Sequence, residues 1–488
     1  MKDEDLYQAM EHIDDQVLER SQRRKPHRKP LWISAVAAVL VVAVAVGAVL
    51  WPKGDVFQVG TYALQTAHYP QLVPRPDPMD YLDAGTQEVD FDAYDAAEEA
   101  YRESQAALEQ EPGYADGLDS FFEKSVPVFL SGKEGENAAY SPLNVYMALA
   151  MLAEVTDGES RQQILDLLGS SSLEDTREQA KAVWEGAYQD DGTTTTILAS
   201  SVWLRDDLSY NQDTLKTLAE NYYASSFQGN MGDEAYTQAL RDWLNEQTGG
   251  LLQEQAEGIQ LRPETVLALA TTLYYKAGWS DEFNPENTAT QTFHAPSGDV
   301  EAEFLHQTSE DDLYYRGERF GAIGKGLGET TMWLVLPDEG TTPEELLAQG
   351  QVVEFFTAGG GGFEWEDREN RKINLALPKF DITSETNLLE GLAALGVTDV
   401  MDITKADFSP LTAEPQELFL SQAQHDVRVT VDEEGVEAAA YTVLAANAAS
   451  AFSEPQELDF ILDRPFLFAI TTYNGLPLFV GIVNQPRP

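Results

Sequence analysis

Six histidines are the first place to look for catalysis in this chain of 488 residues, which contains no cysteine. His12, His27 and His68 precede the region whose patterning indicates a folded domain, leaving His294, His306 and His425. None belongs to an HExxH pair, which would present two zinc ligands on one helix face. No GxSxG places a nucleophilic serine on a strand-to-helix elbow. The run Gly324-Lys325-Gly326-Leu327-Gly328 lacks the spacing and the Lys-Ser/Thr ending of a phosphate cradle, so it reads as a turn between strands. Carboxylates are too numerous for any two to stand out as a general acid and base. The missing cysteines exclude disulfides, thiolate metal sites and a lipid anchor on an N-terminal cysteine. No catalytic residue, cofactor or metal is expected, and the chain is read as not an enzyme. Its 83 acidic against 31 basic residues, a formal charge of −52, repel phosphate and argue against a nucleic-acid partner.

The elements that would position any site lie mostly in the C-terminal three quarters. Helical patterns come first: Phe121 to Leu130, Pro142 to Ala153 with proline at the helix start, and Arg161 to Leu168 closed by Gly169. β-rich runs follow at Thr195 to Leu204, Thr331 to Leu336, Ile373 to Leu377 and Asp426 to Val431. Phe466 to Thr472 and Leu478 to Val483 flank Asn474-Gly475 as a hairpin. Helices followed by many strands predict an α+β domain with large, mostly antiparallel sheets. With 43% hydrophobic residues the chain can bury a substantial core.

Ahead of this domain, Leu31 to Leu50 runs for twenty residues without a charge, which at 1.5 Å per residue matches a bilayer core of roughly 30 Å. Arg20, Arg23, Arg24, Lys25, Arg28 and Lys29 precede it, and Trp32 and Trp51 bracket it. The positive-inside rule then places the N-terminus in the cytoplasm and everything beyond Pro52 outside. A cleaved signal peptide would have a shorter apolar region and an earlier basic flank. Leu6, Met10, Ile13 and Val17 suggest a short amphipathic helix before the span. The resulting division is a cytoplasmic tail (1–30), a transmembrane signal anchor (31–51), an acidic, proline-containing extracellular stalk (52–113) and a main domain (114–488). Phe91 to Leu108 reads as a helix stiffening the stalk. A single-pass cell-membrane protein with an extracellular domain is expected.

Several strings in the main domain resemble serpins, in that family's order. They are Ser141-Pro142-Leu143-Asn144, Thr156-Asp157-Gly158, Trp243 to Thr248 (WLNEQT), Leu273 to Trp279 (LYYKAGW) with Phe283 and Thr290 to Phe293, Leu377-Pro378-Lys379-Phe380, Ala406-Asp407-Phe408-Ser409, and Asp463 to Phe468 (DRPFLF). The resemblance implies a serpin fold of three β-sheets and eight to nine helices, with an exposed reactive-centre loop. A monomer is expected. A cysteine-free extracellular member fits a bacterium that does not rely on oxidative folding.

The resemblance also implies an inhibitor of serine proteases that is attacked as a substrate and traps the acyl-enzyme by inserting its cleaved loop into the central sheet. The hinge would be Glu433, Glu434, Gly435, Val436, Glu437, Ala438, Ala439, Ala440, Tyr441 and Thr442. Strand alternation puts Val436, Ala438, Ala440 and Thr442 on one face, small and uncharged as an inward face must be. No proline, which could not donate to a ladder, occurs from Val431 to Ser453. Tyr441 is bulkier than the small residue usual there.

The family's spacing puts the reactive bond between Ala449 and Ser450, which suits an elastase-like protease with a shallow primary pocket. Ala451 or Phe452 are alternatives, the latter implying a chymotrypsin-like target. No Arg or Lys lies between Thr430 and Asp463, against a trypsin-like one. Ser141, Asn144, Thr271 and His425 resemble the polar latch beneath the sheet, with Asn144 where serine is common and Thr271 where asparagine is common. Trp279 and Glu433 would flank the upper opening. The other reading is a non-inhibitory serpin serving as a surface binding or structural module, since alanine favours helix as readily as this pattern permits a strand.

Overall fold

The computed structural model of the chain describes residues 59–82, 89–130, 135–250, 253–263, 265–357, 368–413, 418–436 and 456–486. Two hydrogen-bonded sheets organise them. The first contains, in chain order, β1 (Ala63–Gln65), β2 (Thr194–Arg205), β3 (Ala224–Gly229), β4 (Leu267–Gly278), β5 (Phe380–Asn387), β6 (Ala423–Val431) and β7 (Gly435–Val436). Across the sheet they run β1-β3-β2-β4-β7-β6-β5, and Gln189–Asp190 pairs with β2. β2 and β4, each twelve residues long, are antiparallel over eleven residue pairs, from Thr194↔Ala277 to Leu204↔Leu267. Their β-branched and aromatic residues suit a pleated surface buried on both faces.

The second sheet has nine strands, and its longest, Gly298–Gly317, joins what the resemblance implied would be two sheets. Its residues up to Phe304 pair with Ala289–Ala295, those from Phe304 to Tyr315 with Arg368–Pro378, and its last residues turn onto Phe320–Leu327. Three separate sheets are therefore corrected to two, because one twenty-residue strand carries hydrogen bonds through both regions. The helix count is corrected as well: ten α-helices follow Asp119 among the described residues, with Gly350 splitting Pro343–Gln349 from Gln351–Thr357. Gly350 takes φ 84°, which glycine adopts without strain.

Four helices matter for the site: α1 (Phe91–Ala106), α2 (Pro142–Val155), α3 (Leu173–Ala187) and α4 (Glu234–Gln247). In α2 every residue is buried, as expected of a helix that is apolar all round and packed between sheets. Pro142 at its first turn and the Ser141 hydroxyl, which accepts from the Asn144 N–H, fix where it starts. α4 lies on the other face of the first sheet. Its Tyr236, Leu240, Trp243 and Leu244 form a second core with Trp203, Phe227 and Ala268.

The predicted stalk is not free-standing where it is described. Gln58–Pro488 forms one compact unit. Within it, β1 adds a strand to the outer edge of the first sheet and α1 packs on the body. The prolines around Pro70 to Pro78 end regular structure without preventing attachment, since an extended strap can bond through side chains. The predicted span, 31–51, lies outside the described residues. Among those described, no helix is long and apolar enough to cross a membrane.

Candidate functional site

A seam between β4 and β6 runs down the first sheet, and the sequence-predicted residues gather at its two ends. At the upper end β7 slips between the two strands, with Gly435 opposite Gly278 and Val436 opposite both Ala277 and Val431. Only glycine fits there, because a Cβ on Gly435 would stand 2.3 Å from the Ala277 carbonyl oxygen. The turn into β7 is held by Asp432, whose carboxylate accepts from the N–H groups of Glu434 (2.9 Å) and Gly435 (3.2 Å).

Trp279 is fully buried beside this turn. Its indole N–H donates to the Asp432 carbonyl at 2.8 Å and its backbone N–H to the Glu434 carbonyl at 3.0 Å. Phe283 packs edge-on to it and donates its N–H to the Glu433 carbonyl. The Glu433 carboxylate pairs with Lys379 at 2.9 Å and accepts from the Thr288 hydroxyl at 2.9 Å. Burial pushes the Glu433 carboxyl up, but the hydrogen bonds from Lys379, its own backbone and Thr288 outweigh it and hold the group below the usual range. Glu434 is exposed.

Below β7 the seam is open. Among the described residues no ladder joins Thr272–Lys276 of β4 to Asp426–Thr430 of β6, although β2 and β5 satisfy the outer sides of those strands. The seam closes at its lower end, where β4 and β6 pair directly and in parallel: Leu269↔Ala423, Ala270↔Gln424 and Thr271↔His425.

At that closure His425 is fully buried, and its Nε2 accepts from the Ser141 N–H at 3.0 Å. That bond puts the ring proton on Nδ1, which has no partner. Burial lowers the imidazole to about 3, so it stays neutral at physiological pH. Both polar atoms of the Asn144 side chain are also buried without a partner. Ser141, Asn144, Thr271 and His425 are thus brought together, but no side-chain bond from Asn144 or Thr271 to His425 is formed among the described residues. Next in β6, Asp426 bonds to Gln424 and is pushed up to about 6 by burial. Orphaned groups also line β2 and β4, at the hydroxyls of Thr196, Ser200 and Thr272. Unpaired buried polar atoms each cost about 1–3 kcal/mol, and two of them, at Thr272 and His425, lie on the strands flanking the seam.

Glu437, Ala438, Ala439, Ala440, Tyr441, Thr442, Ala449 and Ser450 lie outside the described residues. Sequence reasoning missed Lys379, Thr288 and Asp426 as parts of the site. Lys379 stood in a quoted string, whereas nothing marked Thr288.

Comparison with known proteins agrees with this geometry. The family described as "Serpin (serine protease inhibitor)" matches residues 127–486. A serpin-like protein of Thermococcus kodakarensis is 28% identical over 377 residues, covering 72% of this chain and 81% of that protein. Alpha-1-antiproteinase of Rattus norvegicus is 28% identical over 404 residues, covering 80% and 94%. The crystal structure of the thermophilic serpin tengpin in its native state superposes with a TM-score of 0.67 at 25% identity, covering 77% of this chain and 95% of tengpin. The bare reading "not an enzyme" is corrected by this match: serpins act on proteases as inhibitors, though they are not catalytic themselves. The serpin fold, with its open seam below β7 and the family's strings in order through both sheets, shows that the chain belongs to the serpin family.

Proposed function

We propose that the chain is a membrane-tethered suicide inhibitor of elastase-like serine proteases, working by strand insertion at the β4–β6 seam. The observation that supports it most is the seam itself: a stretch where β4 and β6 share no ladder, with β7 already seated between them at its top. Extending β7 in the same register would set Ala438 opposite Tyr275 and Val429, Ala440 opposite Leu273 and Val427, and Thr442 opposite Thr271 and His425. Those three residues would face the core with Val436, where small side chains are required. Thr442 would then reach the unpaired Nδ1–H of His425. Glu437 and Tyr441 would point to the other face, Glu437 opposite Lys276 and Thr430.

The chemistry begins as proteolysis. The protease serine hydroxyl attacks the Ala449 carbonyl, the C–N bond to Ser450 breaks, the serine proton passes to the leaving amine, and Ala449 is left as an ester on the protease. Insertion of Glu437 onward then carries the ester-bound protease along the sheet and distorts it before water completes hydrolysis. Glu433 to Thr442 serve as hinge. Ser141, Asn144, Thr271 and His425 hold the lower closure, and Trp279 the upper opening. The apolar span 31–51 would anchor a monomer to the cell membrane with its N-terminus in the cytoplasm and the serpin domain outside, as in a bacterial surface protein.

Incubation with a pancreatic-type elastase tests this. An adduct that survives SDS, with a new N-terminus at Ser450, is the expected product. Cleaved chain with no adduct would overturn inhibition and leave a non-inhibitory module. Cleavage after Phe452 by chymotrypsin, with an adduct, would reassign the target.

A further inference from the structure

Residues 59–82 and 89–113 precede the region matched by the family, yet they are bonded to the body repeatedly. β1 pairs with β3 (Ala63↔Phe227, Gln65↔Ser226), and the Ala67 N–H donates to the Ser225 hydroxyl at 3.1 Å. Tyr69 enters an aromatic group, its ring 5.3 Å from Trp184, 6.0 Å from Tyr188 and 6.4 Å from Tyr223. Its hydroxyl donates to Gln247 at the end of α4 (3.3 Å), while the Tyr188 hydroxyl donates to the Pro70 carbonyl (3.0 Å). Arg75 donates its backbone N–H to the Asp191 carbonyl (2.8 Å), and its guanidinium pairs with Glu329 (2.8 Å).

We propose that Tyr69 and Arg75 brace the first sheet against opening and so control how readily a strand inserts at the β4–β6 seam; the inference rests on the insertion reading above. For a strand to enter, β4 must part from β6 where Leu269–Thr271 meet Ala423–His425. β4 cannot move alone, because eleven residue pairs bind it to β2, which is paired in turn with β3. These three strands shift as one plate, and α3 is tied to it by the Trp184 indole N–H on the Leu198 carbonyl (2.7 Å). Arg75 touches both sides of that movement. Asp191 belongs to the turn that leads into β2, and Glu329 sits on the turn between Phe320–Leu327 and Thr330–Pro337 of the second sheet. A shift of the plate must break the contact with Asp191 or the one with Glu329. Tyr69 acts likewise between α3 and α4, one on each face of the sheet.

The rest of the strap supports these two residues. The Tyr101 hydroxyl of α1 donates to the Asp191 carboxylate (3.0 Å), and the Arg75 guanidinium lies 6.0 Å over the Tyr101 ring. Because the braces act on the native arrangement and are strained by opening, their loss accelerates conversion to an inserted form as well as lowering stability.

The test uses the full chain. Wild type, Tyr69→Ala, Tyr69→Phe and Arg75→Gln are held at a temperature below unfolding, and conversion to a heat-resistant, uncleaved, non-inhibitory form is timed. Tyr69→Ala and Arg75→Gln are expected to convert about tenfold faster. Tyr69→Phe, which keeps the ring contacts and loses one long hydrogen bond, should stay within about twofold of wild type. If Tyr69→Ala does not fold, Arg75→Gln, a change at a partly exposed side chain, still decides. Conversion of Arg75→Gln at the wild-type rate would overturn the brace. A wild-type chain that gains no stability when its loop is cleaved would instead remove the insertion reading, so the two failures are distinguishable.

Discussion

At the scale of single residues, the top of the seam depends on Glu433 meeting Lys379. Their side chains are 17% and 30% exposed, so the pair sits between a screened surface bridge and a buried one. Glu433→Lys would place two ammonium groups together and is expected to destabilise the native chain by about 2 kcal/mol. Adding Lys379→Glu should recover most of that loss, and thermal unfolding of the four members of this cycle measures it. At the lower end two neighbours oppose each other in pH. His425 falls to about 3 in the folded state, so the unfolded chain binds its proton first, and this group's stabilisation is lost as pH drops from about 6.5. Asp426 rises to about 6, so the folded chain binds its proton first, and stability from this group increases as pH drops from about 6 to 4. With Gln424 bonded to Asp426 and Glu385 beside it, the two slopes largely cancel between pH 4 and 6. Asp426→Asn should uncover the histidine: relative to wild type, denaturant midpoints would decline more steeply below pH 6. A midpoint difference that stays constant over this range would contradict the assignment.

At the scale of elements, insertion is a demand on backbone. A strand extending β7 must donate and accept on both sides, towards β4 and β6, so Ala438→Pro removes a ladder donor and sterically blocks the position opposite Tyr275 and Val429. The expected outcome is a chain cleaved at the normal rate that forms no SDS-stable adduct, read by the ratio of adduct to cleaved product. Much of this architecture was legible beforehand. The β-rich runs of β2 and β6, the Ser141-Pro142 start of α2 and the Asn474-Gly475 hairpin are local signals, and each element lies where those signals put it. The bracing strap was not legible, because its attachments are single side chains such as Tyr69 and Arg75 reaching partners more than a hundred residues away. The joined second sheet was hidden too. Gly298–Gly317 is rich in exposed acids, and its strand character comes from neighbours on both sides rather than from its own propensity.

At the scale of the whole molecule, the insertion reading makes the features described one metastable arrangement. β4 and β6 leave five residues each without a shared ladder, and Thr272 and His425 leave buried polar atoms unpaired on those two strands. A strand entering there would supply main-chain partners to both edges at about 1 kcal/mol net for each hydrogen bond, opposed by roughly 1–2 kcal/mol for each residue ordered. Those two terms nearly balance. The surplus must come from burying Val436, Ala438, Ala440 and Thr442 and from satisfying the orphaned groups, which points to a gain of several kcal/mol. Cleaving the loop with a protease that is not inhibited frees the strand without trapping an enzyme. The cleaved chain is then expected to unfold about 10 °C or more above the intact one. Calorimetry on intact chain, cleaved chain and cleaved Ala438→Pro separates the contributions. Insertion predicts a rise that the proline variant lacks, whereas a rise of equal size in both would trace the added stability to relief of strain in the loop and not to a new strand in the seam.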